Sequence, residues 1–218
     1  YMTPVMLMTD GYLANASEPW KIPDADAIDE FPVEFHTDTK DFSPSHRDPE
    51  TLARNWAIPG TPGLEHRIGG IEKSYDTGNI SYDADNHQKM TDMRKNKIDR
   101  IANDIPDQEV TRGGDKGDVA VIGWGSTFGP ITRAVQKVRA DGHKVSHIHI
   151  RHIWPMPKNL GSLLSNFKKV IVAELNTGQL ITVIRSEYLV DAQGLNKTSG
   201  QPFKVSEVEQ AIRESLEK

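Results

Sequence analysis

The sequence contains no cysteine. That excludes disulfides, cysteine-ligated zinc and any cysteine-held iron–sulfur cluster within its 218 residues. It also has no run near the roughly 18 apolar residues of a membrane-crossing helix. No N-terminal segment joins a basic start to an apolar stretch and a small-residue cleavage site. Basic and acidic residues are interspersed and the formal net charge is -5, so the clustered basic face of a nucleic-acid binder is missing. On these grounds a cytoplasmic protein is expected, with neither membrane nor nucleic acid as partner. Hydrophobic residues are sparse as well, at 36%, and mean hydropathy is -0.55. A well-packed core over the whole length is therefore not expected; one compact region beside a loosely packed stretch is.

What is present divides the chain unevenly. Tyr1-Met2-Thr3-Pro4 leads straight into Val5-Met6-Leu7-Met8, an apolar run that reads as a buried strand over residues 5–9. A strand so close to the first residue suggests a piece of a longer polypeptide. Residues 22–82 are rich in Pro, Asp, Gly, Ser and Thr and carry no sustained period, so they read as loop. A loop that long drapes over another surface or links domains, with Trp20, Phe31, Phe35, Phe42 and Trp56 as candidate anchors. Residues 84–103 read as a helix capped by Asp83 or Asp85. From residue 117 the texture becomes near-continuously apolar strands alternating with amphipathic helices. Strands are read at 118–123, 145–150, 169–174 and 194–198, and helices at 128–141, 158–166, 179–189 and 205–216. That alternation predicts a parallel α/β domain.

Four motifs bear on chemistry. Gly123-Trp124-Gly125-Ser126-Thr127-Phe128-Gly129 joins a strand to a helix, where backbone amides favour an anion. A dinucleotide fingerprint needs glycine at 128, which is Phe, and an acid ending the second strand, where His149 and Arg151 stand. A packing turn is the simpler reading. A stand-alone nucleotide-binding module using the Gly123–Gly129 turn is the alternative function, and a scaffold without ligand is a third. His147-Ile148-His149-Ile150-Arg151-His152 has the spacing of a metallohydrolase run, but Arg151 occupies the carboxylate position, so no metal site is expected. Trp154-Pro155-Met156-Pro157 is a rigid turn before a helix. Glu174-Leu175-Asn176-Thr177-Gly178-Gln179 ends the third strand, where open α/β sheets place ligands and contacts. Gly125, Ser126, Thr127, Glu174, Asn176 and Gly178 are thus the candidate interface or ligand-edge residues. With no nucleophile–base pair among them, no catalytic residue is assigned.

Taken in order, these motifs resemble the 2-oxoacid:ferredoxin oxidoreductases, in particular the alpha subunit of the 2-oxoglutarate type. Thr9-Asp10-Gly11-Tyr12-Leu13-Ala14-Asn15 with Glu18-Pro19-Trp20 resembles the end of the domain that grips the thiamine pyrimidine. Gly63-Leu64-Glu65-His66 and Asn86-His87-Gln88-Lys89-Met90 resemble the connecting region; relatives often carry an acid where Arg67 stands. Gly123-Trp124-Gly125-Ser126, Trp154-Pro155-Met156-Pro157 and Glu174 to Gln179 resemble the transketolase C-terminal-like domain. The resemblance implies residues 1–23 as the end of the pyrimidine-binding domain, 24–114 as a linker with one amphipathic helix, and 115–218 as a Rossmann-like three-layer domain. It implies a C-terminal part of a CoA-acylating enzyme that uses thiamine diphosphate, magnesium, an iron–sulfur cluster and coenzyme A. The implied partners are a beta subunit, the N-terminal remainder of its own subunit, and ferredoxin. No Tyr-Pro-x-Thr-Pro substrate motif, Gly-Asp-Gly diphosphate motif or cluster cysteine is present, so no cofactor-binding residue is assigned and the chain alone is expected to be inactive.

Overall fold

The computed structural model describes residues 1–30 and 33–217; Phe31, one of the candidate anchors, lies outside them. Two compact units are found, residues 1–6 with 15–104, and residues 7–14 with 105 onward. At their junction in sequence a short helical turn, α1 (Gly11–Asn15), follows Asp10, whose carboxylate accepts the Tyr12 backbone N–H at 2.9 Å.

The first unit is irregular, as its proline- and aspartate-rich composition predicts. Residues 22–82 hold a 3-10 turn (Ala25–Ala27) and isolated bridges such as Phe35 with Trp56 and Arg47 with Arg54. The turns are built by side chains taking backbone N–H groups, as where Asp48 caps Glu50 and Thr51. Its one long helix is α2 (Ala84–Ile101). Asp83 is its N-cap, accepting from the Asn86 N–H at 2.7 Å, and Asp85 and Arg100 sit where the helix dipole favours their charges. None of its residues is buried; polar ties such as Tyr75 N–H to Asn86 hold the loops to it. Buried apolar side chains here are Leu52 and Leu64.

One expectation fails near the start of the chain. The run over residues 5–9 forms no strand, and Val5, Met6 and Leu7 are 87–88% exposed. An apolar run becomes a strand only where a neighbouring strand takes up its backbone N–H and C=O groups, and none of the described residues does. Trp20, one of the candidate anchors, is 79% exposed.

The second unit is a parallel α/β sandwich. Its elements run β1 (Gly117–Trp124), α3 (Phe128–Ala140), β2 (Val145–Ile150), α4 (Leu160–Leu164), β3 (Phe167–Glu174), α5 (Gln179–Tyr188), β4 (Ala192–Asn196) and α6 (Val205–Glu217). The strand order is β2-β1-β3-β4, all parallel, with Val121 beside His147 on one side and Ile171 on the other. Side chains of successive strand residues point to opposite faces. Ala120, Ile122, Ile148, Val170 and Val172 therefore pack under α4 and α5. Val119, Val121, Val145, Ile171 and Ala173 pack under α3 and α6. Both faces being covered explains why β1 is buried from Val119 through Gly123. Each fully buried valine or isoleucine there contributes about 1.5–3 kcal/mol. The fourth strand starts two residues before its expected position, at Ala192. The Trp154–Pro155 peptide in the turn after β2 is cis.

Candidate functional site

Between β1 and β3 the chain's direction of winding reverses, which in a parallel sheet opens a crevice at the strand C-termini. On the β1 side Gly123 is required for packing: a Cβ there would lie 2.3 Å from Ile131 Cδ1 and 2.6 Å from Thr127 Oγ1. Gly125 turns the chain at φ +58, in the left-handed region that glycine enters without strain. The buried Thr127 hydroxyl accepts the Trp124 N–H at 3.0 Å and donates to the Trp124 carbonyl at 2.9 Å. It thereby closes the 3-10 turn Gly125–Thr127 ahead of α3.

On the β3 side Glu174 is fully buried. Its carboxylate accepts the Leu180 N–H at 2.9 Å, the Ile181 N–H at 3.0 Å and the Asn176 side-chain amide at 3.0 Å. Asn176 in turn accepts from Gly178 N–H at 2.7 Å and Gln179 N–H at 3.2 Å. The orphan amides at the start of α5 are thus satisfied by two side chains from the preceding strand and turn, with a negative charge at the positive end of the helix. Gly178 holds the turn at φ +103.

Of the six candidates, Gly125, Ser126, Thr127 and Asn176 line one cleft of about 270 Å3, whereas Glu174 and Gly178 lie in the cap of α5. Sequence reading missed the cleft's third wall, Met8, Thr9 and Asp10. The Ser126 hydroxyl donates to Asp10 at 2.7 Å, a contact across 116 positions that no local spacing signals. The Tyr12 N–H, then the Ser126 hydroxyl, hold the exposed Asp10 carboxyl below its ordinary range. A carboxylate on this hydroxyl opposes an anion at the glycine turn. Ser126 has an acid beside it but no histidine among the described residues that line the cleft, so these do not form a nucleophile–base–orienter set.

The histidines of β2 lie on the α3 face. His147 is fully buried, with Nδ1 3.0 Å from the Thr132 hydroxyl. Phe128 packs on both His147 and His149, with ring centroids 5.5 and 5.0 Å away. His147 Nε2 and His149 Nδ1 have no hydrogen-bond partner among the described residues. Burial, with His149 as a smaller cause, pushes His147 down to about 3; burial, then Arg151, lowers His149. Among the described residues no group of three or more His, Cys, Asp or Glu side chains converges.

Residues 117–208 match the family described as pyruvate:ferredoxin oxidoreductase core domain II. Over 216 residues, 99% of its length, the chain is 47% identical to the 2-oxoglutarate oxidoreductase subunit KorA of Mycobacterium tuberculosis. The chain is homologous to part of a 2-oxoacid:ferredoxin oxidoreductase alpha subunit. It is also 27% identical, over 97% of its length, to subunit alpha of an Aeropyrum pernix 2-oxoacid:ferredoxin oxidoreductase. Among solved structures it resembles the 2-oxoglutarate:ferredoxin oxidoreductase of Magnetococcus marinus with 2-oxoglutarate, coenzyme A and succinyl-CoA bound. The TM-score is 0.81 at 28% identity, over 89% of this chain and 34% of that one. The chain spans about a third of the length of these relatives, 33% and 34% of the two subunits named. Core domain II begins at the first residue of β1, so both cleft loops lie inside the oxidoreductase match and the Met8–Asp10 wall lies outside it. The residues present do not fit two of the groups that the resemblance implies, the iron–sulfur cluster and the magnesium diphosphate. There is no cysteine for a cluster and no Gly-Asp-Gly for a magnesium diphosphate.

Proposed function

We propose that this chain is the C-terminal part of the alpha subunit of a thiamine-diphosphate-dependent 2-oxoacid:ferredoxin oxidoreductase with 2-oxoglutarate as its substrate. Its α/β unit serves contact and positioning rather than bond making. The identity to the Mycobacterium tuberculosis subunit over 99% of the chain carries the reading. In this reading a cytoplasmic holoenzyme decarboxylates the 2-oxoacid and sends electrons through an iron–sulfur cluster to ferredoxin. The acyl group goes to coenzyme A. The beta subunit and the remainder of the alpha subunit supply the thiamine, magnesium and cluster sites that this chain lacks. Residues 1–23 end the pyrimidine-binding domain, 24–114 link, and 115–218 form the transketolase C-terminal-like domain.

Two observations support the contact role. The crevice where open α/β sheets take ligands is walled by the chain's own Asp10 on Ser126. All three polar partners of Glu174 belong to the α5 cap, which supports a structural role for it. The same Asp10 carboxylate weighs against a nucleotide module at the Gly123–Gly129 turn.

The test is 2-oxoglutarate- and coenzyme A-dependent reduction of methyl viologen. This chain alone is expected to show none, and a full alpha subunit assembled with its beta subunit is expected to show it. Ser126→Ala and Asn176→Ala are expected to change the yield of complex while turnover per complex stays near normal. Activity of the chain alone, or normal assembly with turnover down by roughly a hundredfold, would overturn the reading.

A further inference from the structure

The irregular unit contains a cleft of about 260 Å3 whose lining is rich in one charge. Arg47, Arg54, Arg67, Lys73 and Arg94 face it, against a single carboxylate, Glu72, in a chain of net charge -5. Glu72 is already engaged, accepting from Arg94 at 3.0 Å and lying 2.6 Å from His87 Nδ1. Lys73 is turned to the carbonyls of Gly69 and Ile71. Among the described residues no carboxylate pairs with Arg47, Arg54 or Arg67. Arg47 and Arg54 are partly buried and sit opposite each other across an antiparallel bridge. Like charges directly opposite repel. Arg47 is lowered by burial first and by Arg54 next.

We propose that this cleft is an anion site for a phosphate-bearing ligand, held by the guanidinium groups of Arg47, Arg54 and Arg67 with Arg94 at its edge. Planar guanidinium forks match phosphate oxygens two at a time, and they stay charged when half-buried, where a bound anion would relieve their mutual repulsion. The Ser45 and Ser74 hydroxyls add donors on the same wall. Gly78, at φ +73, keeps that wall close: a Cβ there would lie 2.8 Å from Ser45 Oγ and 3.1 Å from Pro44 Cγ. The concavity accepts a phosphate or diphosphate group and is too small for a protein segment to fill. The site lies in the connecting region and is independent of the contact role assigned to the α/β unit.

Calorimetric titration of the full chain with inorganic pyrophosphate, at ionic strength held constant with potassium chloride, tests this. Saturable binding is expected, weakened about tenfold or more in Arg54→Gln and in Arg67→Gln. Arg67 is exposed, so its variant separates binding from folding. Glu72→Gln, which removes the cleft's only carboxylate, is expected to tighten binding. Lys158→Gln, in the α/β unit, is expected to leave it unchanged. Binding that is absent in the parent chain, or equal in parent and Arg67→Gln, overturns the proposal. Tighter binding of the dicarboxylate succinate than of pyrophosphate overturns the phosphate assignment. Binding of polyglutamate without any binding of pyrophosphate or phosphate reassigns the surface to a protein partner and overturns it too.

Discussion

Glu174 illustrates how a side chain at the C-terminal edge of a parallel sheet caps the next helix. Its carboxylate takes two N–H groups at the start of α5 and the Asn176 amide, and it is fully buried. Glu174→Ala leaves those donors unpaired in the interior, so a loss of about 1–3 kcal/mol in unfolding free energy is expected by denaturant titration. A change within error would mean that water enters and the cap is dispensable. His147 supplies a different dependence. Folded, it is pushed down to about 3; unfolded, it titrates near its ordinary 6.5. Between those values only the unfolded chain binds the proton, so stability is full above pH 6.5 and falls as pH drops toward 3. The slope approaches about 1.4 kcal/mol per pH unit for one such group. His149, lowered by burial and then by Arg151, acts in the same direction. The interval from pH 6.5 to 5 lies above the ordinary range of carboxylates, so it is the one in which histidine protonation is read. His147→Leu is expected to flatten the stability profile there, and an unchanged slope would place its origin elsewhere.

At the scale of elements, what the sequence made legible tracks how local each cause is. The helix read over 84–103 and found over Ala84–Ile101 was readable at its start because its cap is three residues from the N–H it binds, Asp83 to Asn86. The strands β1 and β3 were readable because burial on both faces leaves an unbroken apolar run. The helices α3 and α6 were readable from their apolar stripes, Ile131-Ala134-Val135-Val138 and Val208-Ile212. Residues 5–9 misled because the same apolar texture serves any covered surface, and periodicity cannot name the cover. Half of the cleft was legible, as loops after parallel strands. Asp10 was not, because its partner Ser126 is brought near only by the fold. The end of α5 gives a local test. Leu189 caps it at φ +52 while 90% exposed, a conformation that costs a leucine about 1–2 kcal/mol and a glycine little. Leu189→Gly is expected to stabilise the α/β unit by about 0.5–1 kcal/mol, read as a raised thermal midpoint. Destabilisation would show that the leucine side chain packs on something in solution.

For the whole molecule, buried apolar surface decides which parts persist, and it is distributed very unequally. The α/β unit holds two cores, one on each face of the sheet, with side chains such as Ile122, Ile148, Val121 and Ile212 removed from water. The irregular unit buries Leu52 and Leu64 and otherwise depends on exposed turns and ion pairs, which contribute little each in water. Ordering a residue costs about 1–2 kcal/mol of backbone entropy, a cost the irregular unit offsets mainly with contacts of that weak kind. The exposed apolar run Val5 to Met8 adds nothing to either core in the isolated chain. Amide exchange should therefore divide sharply by unit. Amides of β1, β2 and β3 are expected to exchange only through global unfolding, while those of residues 22–82 exchange through local opening, orders of magnitude faster. In the full-length alpha subunit proposed above, the second group is expected to slow and the first to stay unchanged. Slow exchange throughout residues 22–82 in the isolated chain would refute this ranking of the two units.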